Sequence, residues 1–457
     1  METIIIVLFI LGYAAIAFEH NLKLDKLIPA LAMMAVLWAL VAFGIDTFPN
    51  WFDSAGHKLI EGFAGFSLEE RRHLLEETLL HHLGKTAEIL FFLLGAMTIV
   101  EIIDYFDGFA TIKDFVKTKS KKRLLWIFAF LAFILSSIID NLTATIVLIT
   151  ILQKIIHDKN TRLWFASLII IAANAGGAWS PIGDVTTTML WIAKKVSSAK
   201  LMEYLIIPSL ICMVVPVFIA SFLKPFQGNI DDSAFDDLPE SKNKYGARML
   251  YLGLGSIIFV PIFKTITHLP PYVGMMLSLA VVGIFAEIHS RTQFSLSNVV
   301  ENDGDDAIGF HSPVHKSLSR IEMPSVLFFF GILMAVAALE SLGILFIGAE
   351  ALKAVVPNID IVVMALGVGS AVIDNVPLVA ASMGMFNDPI DSHLWHFVAY
   401  SAGTGGSMLI IGSAAGVVAM GMEKINFMWY LKNIAWLAAI GFVTGAIAFM
   451  LIRNLTF

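Results

Sequence analysis

Cysteine is almost missing from this chain, with Cys212 the single example among 457 residues. One cysteine excludes intramolecular disulfides. Charged residues are also scarce, at 15% of the chain, whereas soluble domains carry roughly 25%. The net charge of −7 is spread over polar connections and carries no signature of nucleic-acid binding. The sequence is therefore not that of a disulfide scaffold, an ordinary soluble domain or a nucleic-acid-binding protein.

Apolar residues are abundant instead, at 58% of the chain, with a mean hydropathy of +0.80. Runs long enough to cross a bilayer recur from end to end, which is typical of a polytopic membrane protein. The first run, residues 4–18, has no preceding basic region and no A-x-A-like cleavage site, so we expect a retained helix. The predicted fold is an all-α polytopic membrane protein with about ten full transmembrane helices, two re-entrant hairpins and two broken helices.

Two carboxylates interrupt this apolar background. Asp140 is the only charged residue between Leu124 and Leu152, and Asp374 is the only one between Ile361 and Phe386. A lone carboxylate at membrane depth costs about 2.5–3.5 kcal/mol on insertion scales, so it is normally paired, protonated or functional. Each is followed by asparagine, which makes two Asp-Asn centres the main candidates for a site.

The segments around these centres are not predicted to be uninterrupted transmembrane helices. Residues 113–123 hold six basic side chains and one acid, which predicts a cytoplasmic location. Basic residues also follow the first centre, so residues 124–153 are predicted to form a re-entrant hairpin, with a second at 352–386. Residues 163–192 and 394–422 are long enough to cross but contain glycine-rich interruptions. Such breaks are tolerated only where the freed backbone lines a cavity.

The two halves of the chain repeat these features in order. Ser-x-x-x-Asp-Asn occurs at 136–141 and 370–375, and a pair of glycines begins the interruption in each broken helix. We predict a first repeat at 1–224, a cytoplasmic linker at 225–247 and a second repeat at 248–457. An odd number of crossings in each half would make the second repeat enter from the opposite side, which is an inverted repeat.

The hairpin tips and breaks bring oxygen-bearing side chains together near the membrane midplane. They are Asp140, Asn141, Thr143, Asn174, Asp184, Thr186, Thr187, Asp374, Asn375 and Ser407. Carboxylate, amide and hydroxyl oxygens suit a hard cation. A carboxylate in a low-dielectric site can also hold a proton near neutral pH, so one site can exchange a cation for a proton. The alternative is that Asp140 and Asp374 are helix N-caps, a role that is compatible with ion binding.

Four stretches carry a resemblance to a known family: LSSIIDNLTATIVL, AANAGGAWSPIGDVTTTMLW, SAVIDNVPLVAASMGM and SAGTGGSMLIIGSAAGVVAMGM. They closely resemble the NhaD-type sodium/proton antiporters of the ion transporter superfamily. The resemblance implies exchange of sodium or lithium for protons across a bacterial inner membrane, no cofactor and a homodimer. It places sodium at Asp140, Asn141, Asp374 and Asn375, and it adds Ser413 to the residues lining the site.

Two other functions fit parts of the pattern. An anion permease of the same fold, for arsenite or dicarboxylates, would present neutral groups and half-helix N-termini to its substrate. Three aspartates would repel such an anion. An intramembrane aspartyl protease would use two carboxylates sharing a proton, but it would not need oxygen-rich flanking motifs or an inverted duplication. We expect a transporter and not an enzyme.

Overall fold

Helices make up almost all of the regular structure in the computed structural model, which describes residues 1–17, 22, 24–53, 58–60, 62–115, 118–230, 244–297, 312–372 and 374–456. In order they are α1 (Glu2–Ala17), α2 (Leu27–Phe43), α3 (Leu68–Tyr105), α4 (Lys121–Ile139), α5 (Asn141–Ile155), α6 (Lys159–Ala178), α7 (Val185–Ile192), α8 (Ser198–Ala220), α9 (Gly246–Thr267), α10 (Pro271–Ser297), α11 (Pro313–Leu318), α12 (Met323–Ser341), α13 (Ile344–Val355), α14 (Ile359–Gly369), α15 (Asn375–Met385), α16 (His393–Gly405), α17 (Ala414–Glu423), α18 (Phe427–Asn433) and α19 (Ala435–Thr456). Within those ranges the strands are β1 (Phe52–Asp53) and β2 (Lys58–Leu59), an antiparallel pair.

Eight helices of the described part are long and apolar enough to cross a membrane: α3, α4, α6, α8, α9, α10, α12 and α19. Several shorter apolar helices accompany them, including α1 and α2 at the N-terminal end. Long apolar helices satisfy all their backbone groups internally, which is the requirement that hydrocarbon imposes. The predicted all-α polytopic class is confirmed.

The helix bounds differ from expectation in three places. Helically spaced leucines after Ser67 predict an amphipathic helix separate from the next span at about 86–103, but the two are continuous and form a single 38-residue helix, α3. Gly84 lies inside it with open space around its Cα, and one helical glycine costs only about 1 kcal/mol, too little to end the helix. The sequence predicts a polar loop at 290–320 and a single last helix at about 427–452, whereas α10 extends to Ser297 and the last helix is divided at Ile434. Most of the expected linker, 231–243, lies outside the described residues.

The helices pack as two groups. In what we call the flanking group, α1 packs on α2, α2 on α12, α3 on α10 and α9 on α10. In the central group, α4 packs on α6 and α14 on α16, while α5 meets α17 and α7 meets α15. Helices α8 and α19 pack on each other and on α16. The hairpin and broken-helix segments of both halves are thus assembled into one body.

A serine joins each hairpin to the broken helix of its own half. Ser136 donates its hydroxyl to the carbonyl of Ala173 at 2.6 Å, and Ser370 donates to the carbonyl of Ala402 at 2.8 Å. Both serines lie four residues before an aspartate of a hairpin tip. The same hydrogen bond therefore occurs at corresponding positions of the two halves.

Close backbone crossings also match between the halves. A Cβ atom added to Gly176 would overlap the carbonyl oxygen of Phe133, and one added to Gly405 would overlap that of Gly367. In each case the hairpin arm crosses the broken helix at a point where only glycine leaves enough room. These paired contacts support the predicted repeat.

Candidate functional site

The first hairpin turns at Asp140, directly between α4 and α5. Its φ of +96° is a backbone conformation that side-chain-bearing residues rarely adopt. The carboxylate accepts hydrogen bonds from the backbone N–H of Thr143 at 2.7 Å and from its hydroxyl at 2.9 Å. Asp140 is therefore the N-cap of α5, as the capping alternative proposed, and Thr143 serves that cap.

The second hairpin tip holds Asp374, the N-cap of α15. Its Oδ1 accepts from the backbone N–H of Val376 at 3.3 Å. Its Oδ2 lies 2.9 Å from Nζ of Lys26, a residue immediately before α2 in the flanking group. Asp374 thus combines a capping role with an ion pair that crosses between the two helix groups.

Asp184 closes the break in the first broken helix, immediately before α7, and is only 4% exposed. Its Oδ1 lies 3.3 Å from Nδ2 of Asn141 in the first hairpin tip. Its Oδ2 lies 3.1 Å from Nδ2 of Asn375 in the second tip and also accepts the hydroxyl of Thr186. Side chains from both tips therefore meet on one buried carboxylate.

Asn174 extends this network to the second broken helix. Its Oδ1 accepts from Nδ2 of Asn141 at 3.0 Å, and its own Nδ2 donates to Oγ of Ser413 at 3.0 Å. Ser413 occupies the position in the second half that Asp184 occupies in the first, with nearly the same backbone angles. One hydrogen-bonded network thus joins both tips and both breaks.

The remaining expected residues bond to nearby backbone. Thr187 donates its hydroxyl to the carbonyl of Asp184 at 2.9 Å, which supports the turn into α7. Ser407 donates to the carbonyl of Thr404 at 2.6 Å, and its own carbonyl accepts from the hydroxyl of Tyr430 at 2.7 Å. In this conformation both hydroxyls shape the breaks, whereas Asn141, Asn375 and Asp184 face one another.

A cavity of about 90 Å³ lies between the two helix groups at this network. Its central-group wall includes Asp140, Asn141, Thr143, Asp184, Asp374 and Asn375. The flanking-group wall is mainly apolar, with side chains of α3, α9, α10 and α12. A cavity of this size admits a small ion with a few waters. It unites six of the residues expected from the sequence.

Two charged residues of the cavity were not predicted as site residues: Lys26 and Glu322, which lie just before α2 and α12. Both stand at helix ends, where charges are ordinary in membrane proteins, so local sequence carried no signal for them. Among the described residues no group of three or more His, Cys, Asp or Glu side chains has the geometry of a metal site. The three aspartates line one cavity without converging on a single point.

The site and its surroundings match known proteins over nearly the whole chain. The family model for CitMHS, citrate transporter, matches residues 7–396. The chain is 39% identical to sodium/proton antiporter 2 of Arabidopsis thaliana, over 98% of this chain and 99% of that protein. It is 31% identical to the Na⁺/H⁺ antiporter NhaD of Vibrio cholerae, over 99% of this chain and 92% of that protein. The chain belongs to the CitMHS family and to the NhaD-type sodium/proton antiporters.

A second Arabidopsis thaliana relative, sodium/proton antiporter 1, is also 39% identical, over 98% of this chain and 72% of that protein. The matches to the three antiporters span both hairpins and both breaks, because they cover 98–99% of this chain. The family resemblance inferred from the four motifs is confirmed.

Proposed function

We propose that this protein is a secondary transporter that exchanges sodium, or lithium, for protons, with Asp184 as the shared carboxylate. The observation that supports this most directly is the meeting of Asn141 and Asn375 on Asp184, at 3.3 and 3.1 Å. Side chains from the two halves thereby depend on the charge of one group. A change in what neutralises that group is communicated to both hairpin tips at once.

The amides supply a way to alternate between the two ions. In this structure both amides donate N–H groups to Asp184. Turning a terminal amide over presents its carbonyl oxygen instead, and a hard cation takes such oxygens together with a carboxylate. A proton on Asp184 and a sodium ion beside it each neutralise the same charge, so the two ions exclude each other. Mutual exclusion at a buried site is what couples their movements.

Asp140 and Asp374 have a supporting role in this proposal. The sequence predicts that Asp140 and Asp374 carry the exchanged charge with the assistance of Asp184, and the family resemblance adds Asn141 and Asn375 as sodium ligands. Both carboxylates line the cavity, but each also caps a helix, and Asp374 is paired with Lys26. We propose that they attract the cation and complete its oxygen shell, while Asp184 carries the exchange.

The wider assignments are part of the same proposal. The repeats at 1–224 and 248–457 would be inverted, so that the two tips enter from opposite membrane faces. The matching serine and glycine contacts support the repeat, and the odd number of predicted crossings in each half supports its inversion. The bacterial inner membrane and a homodimer follow from the family resemblance. Sodium, lithium and protons are the substrates, and no cofactor enters the cycle.

An organic anion suits this cavity poorly. Asp140, Asp184 and Asp374 face the cavity, with Glu322 at its edge. Lys26 is the basic side chain among the described residues of its lining. Carboxylates outnumber that cation, so a citrate, a dicarboxylate or another anion would meet repulsion strengthened by the low dielectric. The citrate name of the family model therefore does not extend to the proposed substrate.

The test is sodium-induced pH change in everted membrane vesicles from a host without its own sodium/proton antiporters. Pulses of sodium and lithium should collapse the proton gradient of the parent protein. Asp184→Asn should reduce this response to background, because an amide cannot bind and release a proton at neutral pH. Asp158→Asn is the matched control, because Asp158 is an exposed N-cap at the start of α6.

Two results would count against the proposal. Full exchange by Asp184→Asn would remove that residue from the shared site. A parent protein that moves labelled citrate but gives no sodium response would be an anion permease.

A further inference from the structure

We propose that Lys26 is an internal competitor of sodium, a tethered cation that occupies Asp374 while the site is empty of sodium and yields it when sodium binds. This inference rests on the proposed function, because it presupposes that sodium binds in the cavity beside Asp374. The feature that carries it is the Lys26–Asp374 pair in the cavity.

The pair joins parts of the chain that are remote in sequence. Lys26 Nζ lies 2.9 Å from Asp374 Oδ2, across a separation of 348 residues. Lys26 stands at the start of α2, which packs on α12 in the flanking group. Asp374 stands on the hairpin tip of the central group, next to Asn375. The ammonium group therefore holds a hairpin tip against the opposite wall of the cavity.

Aromatic packing directs the lysine into the cavity. Its ammonium group lies 4.5 Å from the ring centroid of Phe328, a fully buried residue of α12. A cation over an aromatic face is attracted by the ring's electron density. The side chain is 26% exposed and that of Asp374 is 15% exposed. The pair is thus preorganised yet still within reach of water and ions.

The charge balance makes exchange between Lys26 and sodium feasible. An unpaired carboxylate at this depth would be costly, so the empty site needs a counter-charge. The Lys26 ammonium group supplies it. Replacing that ammonium by sodium leaves the charge beside Asp374 unchanged, so the ion can enter without leaving a buried charge uncompensated. Both cations cannot occupy Oδ2 together, and their repulsion drives Lys26 away.

The two hairpins differ in this respect. Asp140 of the first tip has no ion pair in the described structure, and it lines the same cavity as the apolar side chains Phe92, Ile257 and Met275. Its hydrogen-bond partner is Thr143 of its own helix. Only the second tip therefore carries the ammonium contact within the described structure. Competition between Lys26 and sodium is therefore expected at the second hairpin tip and not at the first.

The experiment compares Lys26→Met with Lys26→Arg. Loss of the competitor in Lys26→Met should lower the KM for sodium by about three- to tenfold, the size expected for a partly exposed ion pair. It should lower kcat as well, since sodium then leaves more slowly. Lys26→Arg restores a cation and should keep a KM near that of the parent. A purely structural lysine would lower the amount of folded protein without lowering KM.

Lys264→Met is the matched control. Lys264 also joins the two helix groups, with its ammonium group 4.2 Å from the ring of Trp191 in α7 and 3.1 Å from that residue's carbonyl oxygen. It is absent from the cavity lining in the described structure. Its replacement should leave the sodium KM unchanged. A KM that is unchanged or raised in Lys26→Met would overturn the inference.

A second measurement on the parent protein does not depend on a variant that folds. Amine acylation of the purified protein, read by mass spectrometry, should label Lys26 more strongly in sodium than in choline, with Lys264 labelled equally in both. Equal labelling of Lys26 would also overturn the inference. A parent that gives no sodium-driven pH change contradicts the proposed function instead, and the acylation result still decides the role of Lys26.

Discussion

Asn141 and Asn375 are bound to the same carboxylate from different halves of the chain, so their contributions to ion binding are coupled. Each is 5% exposed, and each directs its amide to Asp184. Hydrogen bonds to charged groups contribute about 1.5–3 kcal/mol. Loss of one amide removes a hydrogen bond in this state and, under the proposed mechanism, an oxygen ligand of the bound sodium ion.

We predict that Asn141→Ala and Asn375→Ala each raise the sodium KM by about tenfold or more. In the double variant the effect should differ from the product of the single ones, because neighbours that share a partner do not act independently. Sodium titration of vesicle exchange measures all three. Asn358→Ala, which removes an exposed cap from α14, should leave KM unchanged. Strict multiplication of the two effects would show that the amides act at separate ions.

At the scale of the element, the crossings of hairpin arms over broken helices depend on glycine. Gly176 and Gly405 have carbonyl groups of a crossing helix where a Cβ atom would stand. The backbone of a buried crossing cannot move far without disturbing its own hydrogen bonds. A methyl group at either point must push the hairpin away from the break that faces the cavity.

We predict that Gly176→Ala and Gly405→Ala each destabilise the protein by about 1–3 kcal/mol or more, the usual cost of overpacking. Gly255→Ala is the control, because Gly255 lies within α9 and an added Cβ atom would meet no neighbouring atom within 4 Å. That change should be neutral or stabilising by up to about 1 kcal/mol. Thermal unfolding in detergent, followed by fluorescence-detected chromatography, measures the difference. Unchanged melting of both crossing variants would contradict the structure here.

Local patterns were sufficient to predict several elements and failed for others. The Ser-x-x-Glu spacing of Ser67 and Glu70 predicts a capping box, and the box is formed, because both partners lie within one helical turn. The breaks were predictable from glycine and proline in apolar runs. The continuity of α3 through Gly84 was not, since a single helical glycine is decided by what surrounds it. The helix predicted at about 427–452 likewise gave no sign of its division into α18 and α19, and the middle of α13 lies in the gap between the segments predicted at 323–345 and 352–386.

The candidate site shows the same limit on what local sequence patterns can predict. The sequence identified Asp184 as one of three carboxylates, but its contact with both asparagines depends on the assembly of two distant halves. Lys26 reaches Asp374 across 348 residues, and no local pattern reports such a pair. Sequence therefore predicted six of the residues that line the cavity, while the structure added Lys26 and Glu322 and showed which side chains contact one another.

At the scale of the whole molecule, the inverted arrangement predicts opposite exposure of the two hairpin bases. His157 follows the first hairpin and Asn387 follows the second, and both are exposed. Cys212 is the single cysteine of the sequence and is buried, so Cys212→Ala gives a protein without thiols. In that background a membrane-impermeant thiol reagent applied to whole cells should label Asn387→Cys. It should label His157→Cys only in everted vesicles.

Labelling of both cysteines from one side would contradict the inverted repeat while leaving the ion site unaffected. As a control for reactivity, both variants should be labelled fully after detergent solubilisation. This outcome also tests the cytoplasmic assignment of the basic segment 113–123, which the positive-inside rule supplied.

The breaks in the two broken helices have the same backbone conformation but different side chains. Asp184 and Ser413 hold corresponding positions with nearly the same φ and ψ, and Asn174 corresponds to Gly403, which stands beside Asp184. The two breaks therefore have the same backbone conformation, while only the first carries an acid at this position. Ser413 is neutral and is connected to Asp184, the proposed proton-binding group, only through Asn174 and Asn141 in the network described. A family whose members carry different cargo on one framework would be expected to diversify first at this neutral copy.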